Sequence, residues 1–283
     1  MIGIFDDAGA RLAVTLPGIT LNNPADDPLD TFEINGVVTT SQIDTAIDSN
    51  PSKTGAIISP ARRIIYLVRV DGTIRAPSLA KLFDKGVLLA SALDPDFLSR
   101  QNPSTNGFVD MDFSVPTTDT TEYPTGLVPS RYRVRPRNTV VPADSMYTGT
   151  SAFFAAEFLL RDPRRVYQTL ESRVGAGTVD NEGNTYAGVV VSIAMSGAGQ
   201  AGYVVDLNGD GVTGPTLDLS ATLNGDVIVI DMDAGTVTKN GVDAITLMTS
   251  GTFFDIPPGS STIGITNGTN ATTTIQWRRS WTI

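Results

Sequence analysis

The sequence contains neither cysteine nor histidine. The absence of cysteine excludes disulfides, thiolate nucleophiles and cysteine-based metal sites. The absence of histidine removes the side chain that most often serves as a general base or metal ligand. Together they exclude Ser-His-Asp and Cys-His catalysis and nearly all zinc chemistry. An enzyme with this sequence would be limited to carboxylate, lysine, tyrosine or Ser-Lys chemistry.

Long apolar runs and an excess of basic charge are also missing. No apolar run reaches the roughly 18 residues of a membrane helix. The N-terminal segment lacks the basic and apolar regions of a secretory signal, so we expect folding in a cytoplasm and no membrane insertion. The net charge of -10 argues against nucleic-acid binding, which needs a basic surface. The 283 residues, 41% of them hydrophobic, suffice for one or two domains with real cores.

Motifs for catalysis are scarce. The sequence has no phosphate-binding loop, dinucleotide fingerprint or Gly-x-Ser-x-Gly. Pairs of aspartates that could act as glycosidase carboxylates lie in turn-like sequences, where aspartate is common for conformational reasons. These pairs are Asp6/Asp7, Asp26/Asp27 and Asp231/Asp233. We therefore expect no enzymatic activity and no cofactor.

One stretch has part of the spacing of a calcium loop, in which oxygens at alternate positions converge on one ion. Its candidate ligands are Asp206, Asn208 and Asp210. The position that should close the cage with an acid is Leu217 instead. A polar turn is therefore the favoured interpretation and calcium the weaker alternative.

Alternating and helical patterns divide the first half of the chain into strands and one helix. Residues 61–76 have apolar side chains on both faces, which predicts a buried strand. Residues 77–93 follow with apolar side chains at helical spacing, namely Leu79, Leu82, Phe83 and Val87. The apolar segment 151–160 fits either a helix or a buried strand.

Four arginines alternate in the segment RYRVRPR, so a strand would carry all four on one face: Arg131, Arg133, Arg135 and Arg137. Such a row of like charges repels itself unless acidic groups face it. Two interpretations remain open. The arginines pair with Asp110 and Asp112 of a neighbouring strand, or they contact a neighbouring subunit.

The C-terminal block, residues 225–283, reads as consecutive short strands with turns between them. A strand ends in an acidic cluster, a hairpin follows around Asn240-Gly241, and then come a Phe-Phe pair, a Pro-Gly turn and a strand ending in Arg-Arg beside an aromatic residue. This order resembles the C-terminal β-sandwich of distal tail proteins (Dit-like) from long-tailed, siphovirus-type bacteriophages. The chain departs from the family pattern at Ser260-Ser261, where asparagine is usual after the Pro-Gly turn.

The first half resembles the same family. Phe158, Leu160, Asp162, Pro163 and Tyr167 match the motif with which these proteins often close their first domain. The resemblance favours a strand at 151–160. It implies an all-β fold, with a tail-tube-like β-barrel carrying one helix in residues 1–167 and a galectin-like or jelly-roll β-sandwich in residues 168–283.

The resemblance also implies a function. In the family, six copies form a ring that joins the tail tube to the baseplate or tail-tip hub. The expected partners are then further copies of the chain, the tail tube protein and the hub protein, with a receptor-binding protein as a further candidate. The expected location is the virion tail, after assembly in the host cytoplasm. A tube subunit would share the first domain without needing so complete a second one.

The alternative function is a carbohydrate-binding module or adhesin, since the same sandwich commonly binds sugars. Sugar binding needs aromatic platforms, and the chain has two tryptophans, Trp277 and Trp281. Their even spacing on one predicted strand would place both on the same face. Packing in a core is the competing interpretation of the pair.

Overall fold

The structure is a computed structural model that describes residues 11–44, 47–49, 56–58, 62–101, 107–140, 147–160, 162, 164–196, 202–207, 215–220, 225–266 and 270–281. The chain forms two compact units, Met1–Pro163 and Arg164–Thr282. The division falls just before the predicted domain boundary at residue 167. Both units are built mainly of antiparallel strands, as the sequence predicted.

The first unit contains ten strands and two helices among its described residues. In chain order they are β1 (Val14–Leu16), β2 (Ile19–Leu21), β3 (Phe32–Asp44), β4 (Ile47–Ser49), β5 (Ala56–Ile58), β6 (Arg62–Arg75), α1 (Leu79–Ala92), α2 (Pro95–Gln101), β7 (Val109–Pro116), β8 (Leu127–Val140), β9 (Tyr147–Thr148) and β10 (Ser151–Leu160). The sequence predicted α1 and missed α2.

The main sheet of this unit has the strand order β2-β1-β7-β8-β10-β6-β3, with β9 beside β10, while β4 and β5 form a separate hairpin. At the two ends of the order, the Asn22 N–H of the residue after β2 donates to the Phe32 carbonyl of β3 at 2.6 Å. No ladder between β2 and β3 is present among the described residues. The predicted barrel is therefore not confirmed. The sheet is curved, however, and this one backbone hydrogen bond joins its two edge strands, β2 and β3.

Strand β10 crosses the middle of this sheet, which confirms the strand interpretation of residues 151–160. Every second side chain of β10 is buried: Ala152, Phe154, Ala156, Phe158 and Leu160. The neighbouring β6 buries Val68, Val70 and Ile74 in the same core, whereas Arg69 on its other face is exposed. The prediction that β6 is buried on both faces is therefore wrong around Arg69.

Helix α1 begins after Ser78, whose hydroxyl accepts a hydrogen bond from the Lys81 N–H. Ser78 therefore supplies the N-cap of the helix. The helix buries Leu82, Gly86 and Leu89 in the core of the first unit. Three residues of the predicted apolar series are exposed instead: Leu79, Phe83 and Val87. The helix is apolar over two adjoining faces, and the predicted series combined residues from both.

The second unit contains thirteen strands among its described residues: β11 (Arg165–Tyr167), β12 (Glu171–Val174), β13 (Gly177–Asn181), β14 (Val189–Met195), β15 (Val204–Leu207), β16 (Thr216–Leu219), β17 (Val227–Asp231), β18 (Thr236–Lys239), β19 (Val242–Asp243), β20 (Met248–Gly251), β21 (Gly259–Thr266), β22 (Ala271–Trp277) and β23 (Ser280–Trp281). A short 3-10 helix spans Ile245–Leu247.

Two sheets of this unit share one apolar core. Their strand orders are β12-β22-β14-β17-β18-β19 and β13-β21-β15-β16-β20, and β11 pairs with β23. Alternate residues of β14 face the core, with the period of two expected for a strand: Val189, Val191, Ile193 and Met195. The arrangement agrees with the predicted β-sandwich.

The predicted turn residues lie where the chain reverses. Asn240 and Gly241 connect β18 to β19 with φ angles of 52° and 79°. Both residues therefore adopt the left-handed conformation that Asn-Gly hairpins require.

Candidate functional site

The arginine row of β8 lies on the exposed face of the first unit's main sheet. Its members alternate with the buried side chains Tyr132, Val134 and Pro136. β7 pairs with β8 in a register that sets Asp112 opposite Arg131. The period of two therefore brings acidic side chains of one strand beside basic side chains of the next.

Half of the row is neutralised by these acids. Arg131 Nε and Nη2 donate to the two carboxylate oxygens of Asp112 at 2.5 and 2.8 Å. Arg131 Nη1 lies 2.9 Å from a carboxylate oxygen of Asp110, and Arg133 Nη1 lies 3.5 Å from the other. Pairing with Asp110 and Asp112 is therefore the interpretation that applies to Arg131 and Arg133.

The environment of Arg131 favours its charged form. The hydrogen bonding of the Arg131 guanidinium to the Asp112 carboxylate, which accepts, raises the pKa of Arg131 above its ordinary value, and the negative charge of Asp110 acts in the same direction. Partial burial opposes them by penalising the charge. Because the pKa of Arg131 is raised in the folded state, its protonated form contributes stability that is lost only as the pH rises through that pKa, as long as its acidic partners are ionised.

Arg135 and Arg137 differ from the other two arginines. β7 begins at Val109, opposite Val134 of β8, so no residue of β7 lies across from them. A register shift against β10 leaves Arg137 as the extra residue of a bulge, because Pro136 pairs with Phe158 and Asn138 pairs with Glu157. Neither Arg135 nor Arg137 forms an ion pair or side-chain hydrogen bond with the residues that the structure describes.

These two arginines line a pocket of about 310 Å³, which we call the arginine pocket. Its lining residues are Pro95, Arg135, Pro136, Arg137 and Leu159. Of the lining residues that the structure describes, only the two arginines are polar, so the pocket suits a partner that carries both apolar and acidic groups. Contact with a neighbouring subunit therefore remains the open interpretation for Arg135 and Arg137.

Sequence reasoning did not identify the contribution of Pro95, because it did not predict α2. A signal was present. Asp94 precedes a proline, and its carboxylate accepts the Asp96 N–H at 2.9 Å. An acidic residue followed by proline is typical of a helix start, since proline fits the first helical position.

The two tryptophans do not form the shared face that their spacing predicted. β22 ends at Trp277, and Trp281 belongs to β23 after a break at Arg278 and Arg279. Trp277 is buried, and its Nε1 donates to the Asp180 carbonyl at 2.9 Å. The Arg165 guanidinium lies 4.8 Å from the centre of the Trp281 ring. The prediction of a two-tryptophan sugar platform is therefore wrong for Trp277, which packs in the core.

Only one member of the calcium candidate can be placed. Asp206 lies in β15, is buried and pairs with Thr216 of β16. Asn208 and Asp210 lie outside the described residues. Within the part of the chain that the structure describes, no three acidic side chains are grouped to hold a metal. Among the same residues, no helix is both long and apolar enough to cross a membrane.

Comparison with known proteins gives the geometry a family context. Residues 182–281 match the family described as the siphovirus-type tail component, C-terminal domain, SPP1 Dit. The crystal structure of Dit from phage SPP1 matches nearly the whole chain, with a TM-score of 0.63 and 14% identity. The match covers 95% of this chain and 98% of that chain. The chain therefore has the Dit fold, and residues 182–281 match the C-terminal domain of that family.

The Dit-like fold thus extends over both units, and the resemblance read from the sequence is confirmed. SPP1 Dit is described as a paradigm of hub adsorption apparatus in phages that infect Gram-positive bacteria. A chain of the phage P2 baseplate, in its activated conformation with Ca, also matches the Dit-like chain, with a TM-score of 0.49 and 9% identity. That match covers 94% of this chain and 97% of the baseplate chain. No curated protein matches this sequence.

Proposed function

We propose that the chain is a distal tail protein that forms a ring at the end of a phage tail tube and joins the tube to the baseplate or tail-tip hub. The observation that carries this proposal is the Dit-like fold of both units, together with the tail-component match of residues 182–281. A likeness confined to one unit would have suited a tube subunit or a separate sandwich module equally well.

The role is structural rather than enzymatic. The chain has no histidine or cysteine for catalysis. Of the aspartate pairs considered as catalytic carboxylates, Asp233 forms an ion pair with Arg164, and Asp231 accepts the Ala234 N–H at 2.9 Å. Both carboxylates therefore have ordinary structural partners, as expected for a turn. The partners are other copies of the chain, the tube protein and the hub protein, in the virion tail.

The carbohydrate-binding alternative loses its main support because Trp277 is buried. A sugar platform needs an accessible aromatic face, and the described geometry leaves only Trp281 as a candidate from the pair. A glycan array in which binding disappeared on Trp281→Ala would restore that alternative.

Self-assembly is the direct test of the ring. The purified chain is concentrated and analysed by negative-stain electron microscopy and by native mass spectrometry of the same sample. We expect six-membered rings with a central channel. A chain that stays monomeric at every concentration would contradict a self-assembling ring and favour the carbohydrate-binding module.

A further inference from the structure

We infer that the arginine pocket of one copy receives the tip of residues 22–31, here called the acidic loop, from a second copy of the chain. This inference rests on the proposed ring and names one contact between its adjacent subunits. The acidic loop and the arginine pocket are both in the first unit, but they lie too far apart to contact each other within one copy.

The acidic loop presents an apolar side chain between negative charges. Leu29 at its tip is 68% exposed, which is unusual for a leucine. Asp26 and Asp27 precede it and form no ion pair among the described residues. The loop therefore offers one leucine and two uncompensated carboxylates to a partner.

Internal hydrogen bonds hold this loop in shape. Asn23 Nδ2 donates to Asp26 Oδ1 at 2.8 Å, and the Leu29 N–H donates to Asp27 Oδ1 at 2.8 Å. Buried Asn22 anchors the base through its Nδ2, which donates to the Leu12 carbonyl at 3.0 Å. A preformed loop loses little conformational entropy on binding, so more of the contact free energy is retained.

The arginine pocket has the complementary properties. Its apolar wall of Pro95, Pro136 and Leu159 can bury a leucine side chain, and Arg135 and Arg137 can bind carboxylates. The acids beside Pro95 in the sequence, Asp94 and Asp96, form no ion pair with either arginine. Charge and polarity therefore match on the two surfaces.

The acidic loop cannot reach the pocket of its own copy. Thr31 at the end of the loop exchanges two backbone hydrogen bonds with Arg75, which pairs with Ser151 at the start of β10. Leu159 of the pocket lies near the other end of β10. Eight residues of strand separate the two positions, about 26 Å at roughly 3.3 Å per residue. The contact must therefore join different copies.

A contact between different surfaces of identical chains is heterologous, and it closes into a ring when the rotation between copies allows. One leucine and two ion pairs bury less area than the roughly 800 Å² per partner of a stable interface. Helix α1 offers more apolar surface beside the loop, since Lys85 binds Asp30 at 2.9 Å and Val87 is exposed. The acidic loop then acts as a specificity-determining part of a larger interface.

The first experiment removes each side of the contact. Leu29→Ala shortens the tip, Asp27→Lys reverses its charge, and the double variant Arg135→Glu with Arg137→Glu reverses the pocket. Sedimentation velocity and native mass spectrometry measure the oligomer. We expect each variant to raise the concentration for half-assembly by ~10-fold or more, as for the central residues of an interface. The matched control Val242→Ala, at a site of the second unit that is 69% exposed, should assemble like the wild type.

The second experiment mixes the two charge-reversed variants in equal amounts. The lysine loop of one variant then meets the glutamate pocket of the other, while the unchanged loop meets the unchanged pocket. At a concentration too low for either variant to assemble alone, we expect even-numbered rings with alternating copies in the mixture. Rescue would also demonstrate that both variants are folded.

Three results would overturn the inference, and they are distinguishable. If the wild type forms rings and the variants form them equally well, the ring stands and this contact is wrong. Failure of the mixture to recover assembly that both variants lost would likewise refute the pairing of loop with pocket. If the wild type never assembles, both the ring and the contact are refuted.

Discussion

Replacing Asn181 by alanine should destabilise the second unit strongly. This side chain at the end of β13 is fully buried and makes four hydrogen bonds with backbone groups. Its Nδ2 donates to the carbonyls of Thr185 and Ile256 at 2.7 and 3.2 Å. Its Oδ1 accepts the N–H groups of Gly183 and Ser280 at 3.2 and 3.1 Å. Asn181 thus joins its own loop to two distant segments of the sandwich.

The expected decrease in the free energy of unfolding follows from the number of hydrogen bonds that the substitution removes. Each lost hydrogen bond costs about 1 kcal/mol, and buried backbone groups left without partners cost more. Two of the bonds are long, so we expect Asn181→Ala to lower the free energy of unfolding by about 3–5 kcal/mol. At roughly 4 °C per kcal/mol for a domain of this size, the midpoint of thermal unfolding falls by about 12–20 °C.

Tryptophan fluorescence isolates this effect. The chain has two tryptophans, Trp277 and Trp281, and both lie in the second unit. Their emission therefore reports unfolding of that unit in the full chain. Thr262→Ala, on the exposed surface of β21, serves as the control and should change the free energy by less than about 0.5 kcal/mol. A midpoint for Asn181→Ala that equals the control would refute the assigned role of the four bonds.

Two further substitutions test the first unit, followed by calorimetry because that unit has no tryptophan. Gly72→Ala should destabilise it by about 1–3 kcal/mol, since an added Cβ would collide with the Phe154 ring and lie 2.5 Å from the Glu33 carbonyl oxygen. Asp112→Ala should cost about 1–3 kcal/mol, because Arg131 loses a bidentate, charge-assisted partner in a partly buried position.

Each of these substitutions has a matched comparison. Gly36→Ala should have little effect on packing, because no atom lies within 4 Å of the added Cβ. Asp71→Ala removes an exposed ion pair with Arg69, which stabilises by only about 0–1 kcal/mol. Equal losses for Gly36→Ala and Gly72→Ala would contradict the predicted collision. A loss for Asp112→Ala no larger than for Asp71→Ala would contradict the importance of the arginine pairing.

Alternation carried most of the fold information in the sequence. β14 could be predicted with its buried face, because a period of two with valine and isoleucine is typical of one structure only. The turn at Asn240-Gly241 could be predicted because few residues tolerate its backbone angles. Sheet closure was not predictable, because the partner of an edge strand depends on distant segments.

The face of α1 shows where pattern reasoning fails. Leu82 and Leu89 are buried while Phe83 and Val87 are exposed, yet all four are apolar. When a helix is apolar on two faces, its sequence does not indicate which face packs against the core of its own domain. In a protein that assembles, the second face is available to a partner, and hydrophobicity alone cannot separate these uses.

The sequence predicted which face of its strand each charged residue occupies, but not which of the four arginines would be paired. The alternation of the arginines, and that of Asp110 and Asp112, placed the charges on single faces. The register of β7 against β8 decides that Arg131 is paired and Arg135 is not. This register depends on where β7 begins, which the alternation does not indicate. Residue propensities gave no indication that Asn181 would be buried, because a lone asparagine in a polar segment looks like a turn residue.

The central claim is that the chain occupies the far end of the tail, and its position in the virion tests this most directly. Gold-labelled antibodies against the chain are applied to intact virions of the phage that encodes it, and the particles are viewed by electron microscopy. The account predicts label confined to the tail end opposite the capsid. Label along the whole tube would identify a tube subunit, and unlabelled virions would contradict a tail component altogether.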